Sequence, residues 1–197
     1  MDKFEQLDQL LANSGGIVKT SDALAIVLSK PVFYKYVKTR KLEQAAHGIY
    51  VSTEAWLDAM YVISLRCQQA VFSHETALFL HDMTDREPTC YSITVKAGYN
   101  PSKLTADGIK VYNIKKELHE LGMVEGQTPF GHAVPVYNIE RTVCDIIRSR
   151  SNIETQTFQD TLKQYANRPD KNLRQLLQYA QLFGVEKILK PYLEVLL

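Results

Sequence analysis

Residues 29–41 read Ser29-Lys30-Pro31-Val32-Phe33-Tyr34-Lys35-Tyr36-Val37-Lys38-Thr39-Arg40-Lys41. Serine is a good helix N-cap, and proline is tolerated in a first turn, where its missing N–H has no helical partner. The spacing predicts a helix. At roughly 100° per residue, Phe33, Tyr36 and Val37 fall on one side, and Lys30, Tyr34, Lys35, Lys38 and Lys41 on the other, with no acid among them. Apolar behind and cationic in front, such a helix suits an anionic surface. The same composition would also serve a merely solvated face, so the neighbouring sequence has to decide.

Upstream, Phe4, Leu7, Leu10 and Leu11 repeat at helical spacing from Lys3 to Leu11, and Asn13-Ser14-Gly15-Gly16 is a stop. Ile17-Val18-Lys19 is a short extended piece. Thr20 or Ser21 can cap the next helix, Asp22 suits its first turn, and Ala23 to Leu28 fill it. Downstream, Leu42-Glu43-Gln44-Ala45 and Ile49-Tyr50-Val51 read as two strands joined by Ala46-His47-Gly48. Three helices and a hairpin within residues 1–52 make a winged helix-turn-helix, and a basic third helix there points to the major groove of DNA. His47, at the wing tip, can reach a minor groove or a phosphate.

The chain has 197 residues, 45% of them hydrophobic, enough for one large domain or two small ones. Its net charge is only +1, so it is no generic polycation. Residues 1–52 carry net +2, residues 53–147 net −4 and residues 148–197 net +3. Basic ends around an acidic middle place any nucleic-acid contact toward the termini. Cys67, Cys90 and Cys144 have neither Cys-x-x-Cys nor zinc-ligand spacing, and read most simply as buried thiols in a reducing compartment. With no signal-peptide pattern and no apolar run of membrane length, a cytoplasmic protein without membrane contact is expected.

Ser52-Thr53 is expected to cap a linking helix from Glu54 to Gln68 that buries Trp56, Met60, Ile63 and Leu65, so the domain boundary falls between residues 52 and 70. The domains are then 1–52, a linker 53–69, and 70–197. In the last, Ser73 caps a helix His74–His81. Tyr91–Val95, Ile109–Ile114 and His132–Tyr137 are strands, the last an edge or broken strand because of Pro135. Asn138 caps a helix Ile139–Arg148. Ser151-Asn152-Ile153-Glu154 fits a capping box opening an all-helical end, broken at Pro169-Asp170 and Gly184. The fold class is α+β: an N-terminal winged helix, then a mixed α/β domain ending in a helical bundle.

An enzyme would need a site in the acidic middle. A metal-dependent DNA nuclease would draw on Glu75, Glu140 and Asp145, but no Asp…Glu-x-Lys arrangement, P-loop or nucleophile elbow occurs. Capping by Glu140 and an i,i+4 pair between Arg141 and Asp145 account for these residues more simply. No catalytic residue, metal or cofactor is expected. The nuclease stands as the alternative.

Three segments resemble the AbiEi family of antitoxins from type IV toxin–antitoxin systems of abortive phage infection. They are Arg40-Lys41-Leu42-Glu43 with His47-Gly48-Ile49-Tyr50-Val51, Ser73-His74-Glu75-Thr76-Ala77-Leu78 followed by Pro88, and Val136-Tyr137-Asn138-Ile139-Glu140-Arg141-Thr142-Val143-Cys144-Asp145. Thr76 and Cys144 depart from the family's commonest residues. The resemblance covers about residues 1–148. It implies an autoregulatory repressor that binds an operator with inverted repeats. It also implies a C-terminal domain that counteracts a nucleotidyltransferase-like toxin without a stable complex. Expected DNA contacts are Lys19, Thr20, Ser29, Lys30, Tyr34, Lys35, Lys38, Arg40, Lys41 and His47. Arg168 and Lys171, beside the Pro169 break, are expected to extend them, with two copies binding cooperatively.

Overall fold

The computed structural model describes residues 2–27 and 29–196. The protein is α+β, with eleven α-helices and two sheets among the described residues. Its contacts divide it into two units, Met1–Gln68 with Thr128–His132, and Gln69–Gln127 with Ala133–Leu197.

The first unit starts with α1 (Lys3–Asn13), closed at its N-terminus by a capping box between Asp2 and Glu5. It ends where Gly15 takes φ 62° and the Gly16 N–H donates to the Leu11 carbonyl at 2.8 Å. That backbone conformation favours glycine. β1 (Ile17–Lys19) leads into α2 (Thr20–Val27), α3 (Lys30–Thr39), β2 (Glu43–Ala46) and β3 (Ile49–Val51). The sheet order is β1-β3-β2, antiparallel throughout. Phe33 and Tyr36 of α3 are wholly buried with Leu7, Val18, Leu42 and Tyr50. Each such large apolar side chain contributes roughly 1.5–3 kcal/mol.

Local details differ from the expectations. α2 begins at Thr20 itself, and neither Thr20 nor Ser21 caps it: Ser21 Oγ turns to Asp22. Leu28, the expected last residue of that helix, lies outside the described residues. Ser29 occupies the N-cap of α3 in extended conformation without a side-chain cap bond. The turn between β2 and β3 is only His47-Gly48, because β2 continues through Ala46 by a bulge at Ala45. The helix expected over 54–68 is shorter. α4 runs Ala59–Arg66 and is capped by Asp58, whose carboxylate accepts from the Tyr61 N–H. Trp56 therefore precedes the helix and is 82% exposed rather than buried.

The second unit is built on a five-stranded mixed sheet of order β6-β5-β4-β8-β7. The strands are β4 (Val71–Phe72), β5 (Ser92–Lys96), β6 (Lys110–Ile114), β7 (Met123–Gln127) and β8 (Ala133–Tyr137). β8 is interior, not an edge. β4 is only two residues long and meets β8 at Val136, so little of the ladder on that side calls for the N–H that Pro135 lacks. α5 (His74–Leu80) and α8 (Ile139–Arg148) accompany the sheet, with short α6 (Ser102–Ala106) and α7 (Lys116–His119). α8 carries the Asn138 cap, accepting from the Arg141 N–H at 2.9 Å. α9 (Thr155–Asn167), α10 (Leu173–Leu182) and α11 (Glu186–Leu196) bury Phe158, Leu162, Leu176 and Leu189 against α8. The expected capping box at Ser151 does not form. Ser151 and Asn152 lie in a short 3-10 turn, and Glu154 precedes α9 without a side-chain cap bond. Cys67 and Cys144 are buried, but Cys90 is exposed. No helix among the described residues is long and apolar enough to cross a membrane.

Candidate nucleic-acid interface

α3 buries Phe33, Tyr36 and Val37 and leaves Lys30, Tyr34, Lys35 and Lys38 exposed. Tyr34 is 46% exposed amid these cations. Among the described residues none of Lys30, Lys35, Lys38 and Lys41 has an ion-pair partner. A row of unpaired ammonium groups on one helix face is a surface for phosphates.

The helix ends in a strained turn that supports this face. The Leu42 N–H donates to the Val37 carbonyl at 2.9 Å and the Lys41 N–H to the Lys38 carbonyl at 3.3 Å. Lys41 must then take φ 54°, a region usually left to glycine. Its side chain is exposed beyond the carbonyl end of α3, where a cation is favoured.

Arg40 is differently placed. Its guanidinium grips Asp8 of α1 with Nε at 2.9 Å and Nη2 on the second oxygen, and the Tyr36 hydroxyl donates to the same carboxylate at 2.8 Å. Burial pushes the Asp8 carboxyl up, but the bonds from Arg40 and Tyr36 outweigh it and hold Asp8 below its ordinary value. Burial, reinforced by Asp8, raises the Tyr36 phenol. Arg40 thus anchors the end of α3 to α1 while its side chain stays partly exposed.

The remaining expected contacts scatter. Lys19 is half-buried at the end of β1. The Thr20 N–H donates to the Gly48 carbonyl at 2.8 Å, tying the start of α2 to the β2–β3 turn, while Thr20 Oγ1 is buried without a partner among the described residues. Ser29 is half-buried, and His47 is exposed at the tip of the hairpin. Arg168 and Lys171 belong to the second unit. Arg168 is held by Asp170 at 2.8 Å and by the His81 carbonyl, and Lys171 Nζ donates to the Arg168 carbonyl. These two cations shape the Pro169 turn.

The carboxylates of the alternative reading each have a partner in the second unit. Glu75 accepts from Lys110 at 3.1 Å and from Ser92. Glu140 accepts from the Asn172 N–H at 2.9 Å. Asp145, fully buried, pairs with Arg141 at 2.9 Å and Arg148 at 3.1 Å. Burial pushes the Asp145 carboxyl up and these two guanidinium groups draw it back. Arg141 is itself sandwiched between the Tyr137 and Phe183 rings and donates to the Leu118 and Leu121 carbonyls. No three His, Cys, Asp or Glu side chains come together in a metal-holding group among the described residues.

His74 is fully buried, with φ 51° and its ring stacked on Tyr112 at 3.5 Å. Nδ1 lies 2.9 Å from Ser73 Oγ and Nε2 3.0 Å from Ser149 Oγ. Thr94 donates to Ser73 Oγ at 2.9 Å, so Thr94, Ser73, His74 and Ser149 form one hydrogen-bonded chain. A polar cleft of about 640 Å³ lies nearby, bordered by Glu75, Lys110, Arg86, Cys90, Asp160 and Gln164.

Solved structures include proteins of similar fold. The chain is similar to the crystal structure of the RV2827C protein from Mycobacterium tuberculosis, with TM-score 0.56 and 12% identity, over 98% of this chain and 80% of that one. At that identity the likeness shows a shared fold. No protein-family model matches the chain, and no curated protein sequence matches it.

Asp8 and the left-handed conformation of Lys41 were missed from sequence, and Trp56 was expected buried but is exposed. Asp8 meets Arg40 across 32 residues, which no local pattern reveals. Lys41 had a faint signal: a basic residue stands where a helix stop calls for glycine.

Proposed function

We propose that the first unit is a winged helix-turn-helix that binds operator DNA, with α3 in the major groove and the β2–β3 hairpin as the wing. On this reading the protein is an AbiEi-type antitoxin that represses its own operon. The carrying observation is the exposed cationic face of α3, without ion-pair partners among the described residues, within a helix-helix-hairpin frame whose sheet order is β1-β3-β2. Lys30, Lys35, Lys38 and Lys41 contact phosphates, and Tyr34, exposed between them, reaches a base edge. The second unit counteracts a nucleotidyltransferase-like toxin without forming a stable complex with it, acting as a binding protein and not as an enzyme.

Footprinting the full chain on DNA upstream of its own gene tests the first half. A protected inverted repeat is the expected result, and binding no tighter than to unrelated DNA of equal length rejects it. Co-expression with the neighbouring toxin gene tests the second. Growth should be rescued by wild type and by a variant that no longer binds DNA.

A further inference from the structure

The cleft of the second unit has a use that neither DNA binding nor the buried ion pairs supply. Its volume, about 640 Å³, is that of a small-molecule site. Along α9, Gln156, Asp160 and Gln164 line it at four-residue intervals, so they form one stripe with a rise of about 6 Å between neighbours. Glu154, just before α9, also lines it, and the chain after α5 contributes Asp85 and Arg86. Leu78 and Met83, each almost covered, give it apolar surface. Glu75 and Lys110 neutralise each other at 3.1 Å. That leaves the carboxylates of Asp85, Glu154 and Asp160 against the single guanidinium of Arg86. Among the described residues none of these four has an ion-pair partner, and Asp160 accepts only from the Gln156 amide, at 2.8 Å.

We propose that this cleft binds a linear polyamine, an extended cation whose ammonium groups are joined by short alkyl chains. The excess of unpaired carboxylates selects a cation and repels nucleotides and other anions. Its acceptors are spread along the cleft and do not converge: among the described residues no three acid, His or Cys side chains form a metal-holding group. The ligand is therefore long and carries several charges, unlike a metal ion. A step of about 6 Å along α9 is close to the separation of two ammonium groups across a four-carbon chain, so Asp160 takes one ammonium and the Gln156 and Gln164 carbonyls accept from its neighbours. The methylenes between them lie on Leu78 and Met83, as the stem of a lysine lies on apolar surface. Lys110 is the only strand residue in the lining, so no strand edge offers a peptide main chain its hydrogen bonds. All of these residues belong to the second unit, and polyamine binding needs no DNA.

Isothermal titration of the full chain, freed of nucleic acid, with spermidine at about 0.15 M salt should show a saturable site, one per chain. The double variant Glu154→Gln, Asp160→Asn should weaken it at least about tenfold. Asp85→Asn, outside any helix and so safe for folding, should weaken it too. The double variant Glu117→Gln, Glu125→Gln removes as much charge from exposed positions outside the cleft and should bind as wild type does. Magnesium ion at the spermidine concentration should not compete. No saturable binding, equal loss in the two double variants, or an Asp85→Asn chain that binds like wild type overturns the proposal. So does competition by magnesium, which would reduce the effect to counterions, or tighter binding of tri-lysine than of spermidine, which would make the occupant a basic peptide.

Discussion

The Leu42 N–H bonds the Val37 carbonyl at 2.9 Å, and that bond holds Lys41, just before Leu42, at φ 54°. The same closure ends α1 with Gly15 and α10 with Gly184. A lysine there costs about 1 kcal/mol of backbone strain relative to glycine. Strain retained at one residue of a cationic face points to function. Lys41→Gly should therefore raise stability by roughly 0.5–1 kcal/mol in urea unfolding while weakening DNA binding and lowering its salt slope by about one unit. A variant that gains stability and binds DNA as before would remove Lys41 from the interface.

Lys35 and Lys38 test the face itself. Each lost phosphate contact should lower the slope of log affinity against log salt by about one unit. The double variant Lys35→Ala, Lys38→Ala should lose about two and weaken operator and random DNA alike. An unchanged slope would mean that α3 is not the reader.

His74 should make the second unit acid-sensitive. Burial, then the nearby Arg148, Arg141 and Lys110, hold its pKa well below the ordinary 6.5. As pH falls below 6.5 the unfolded chain takes up a proton there and the folded chain does not. Stability is thus fully present above that pH and declines below it, by at most about 1.4 kcal/mol per pH unit for this group. Burial also lowers His81 and His119, which add to the same slope. Urea unfolding at several pH values between about 7 and 5 should show a shallower slope for His74→Gln than for wild type. Equal slopes would mean that His74 takes up its proton in the folded state as well.

The first unit should not stand alone at residue 68. A fragment 1–68 lacks Thr128 and His132 and leaves the buried Asp58 carboxylate with one oxygen unpaired. Losing the two hydrogen bonds to that carboxylate costs about 1.5–3 kcal/mol each, so the fragment should melt below the full chain. Appending residues 128–132 through a flexible linker should recover part of the loss. A fragment as stable as the unit in the full chain would show that the clasp contributes little.

Local sequence was a good guide to several elements that satisfy themselves, although the caps expected at Thr20 or Ser21 and the box at Ser151 do not form. The apolar stripe of α3, the glycine stop after α1, the Asn138 cap and the i,i+4 pair of Arg141 with Asp145 depend on residues a turn apart, and all are present. The α+β class followed from the same periodicities. Tertiary structure decided what required distant partners. Pro135 sits in an interior strand because β4 is short. Arg40 is held by Asp8, 32 residues away. Asp58 caps α4, where Ser52 and Thr53 had seemed the better caps, because its second oxygen is held by Thr128 and His132. Caps and periodicity act over a few residues of chain, whereas strand neighbours, ion-pair partners and the exposure of Trp56 depend on which surfaces remain covered once the chain has closed on itself.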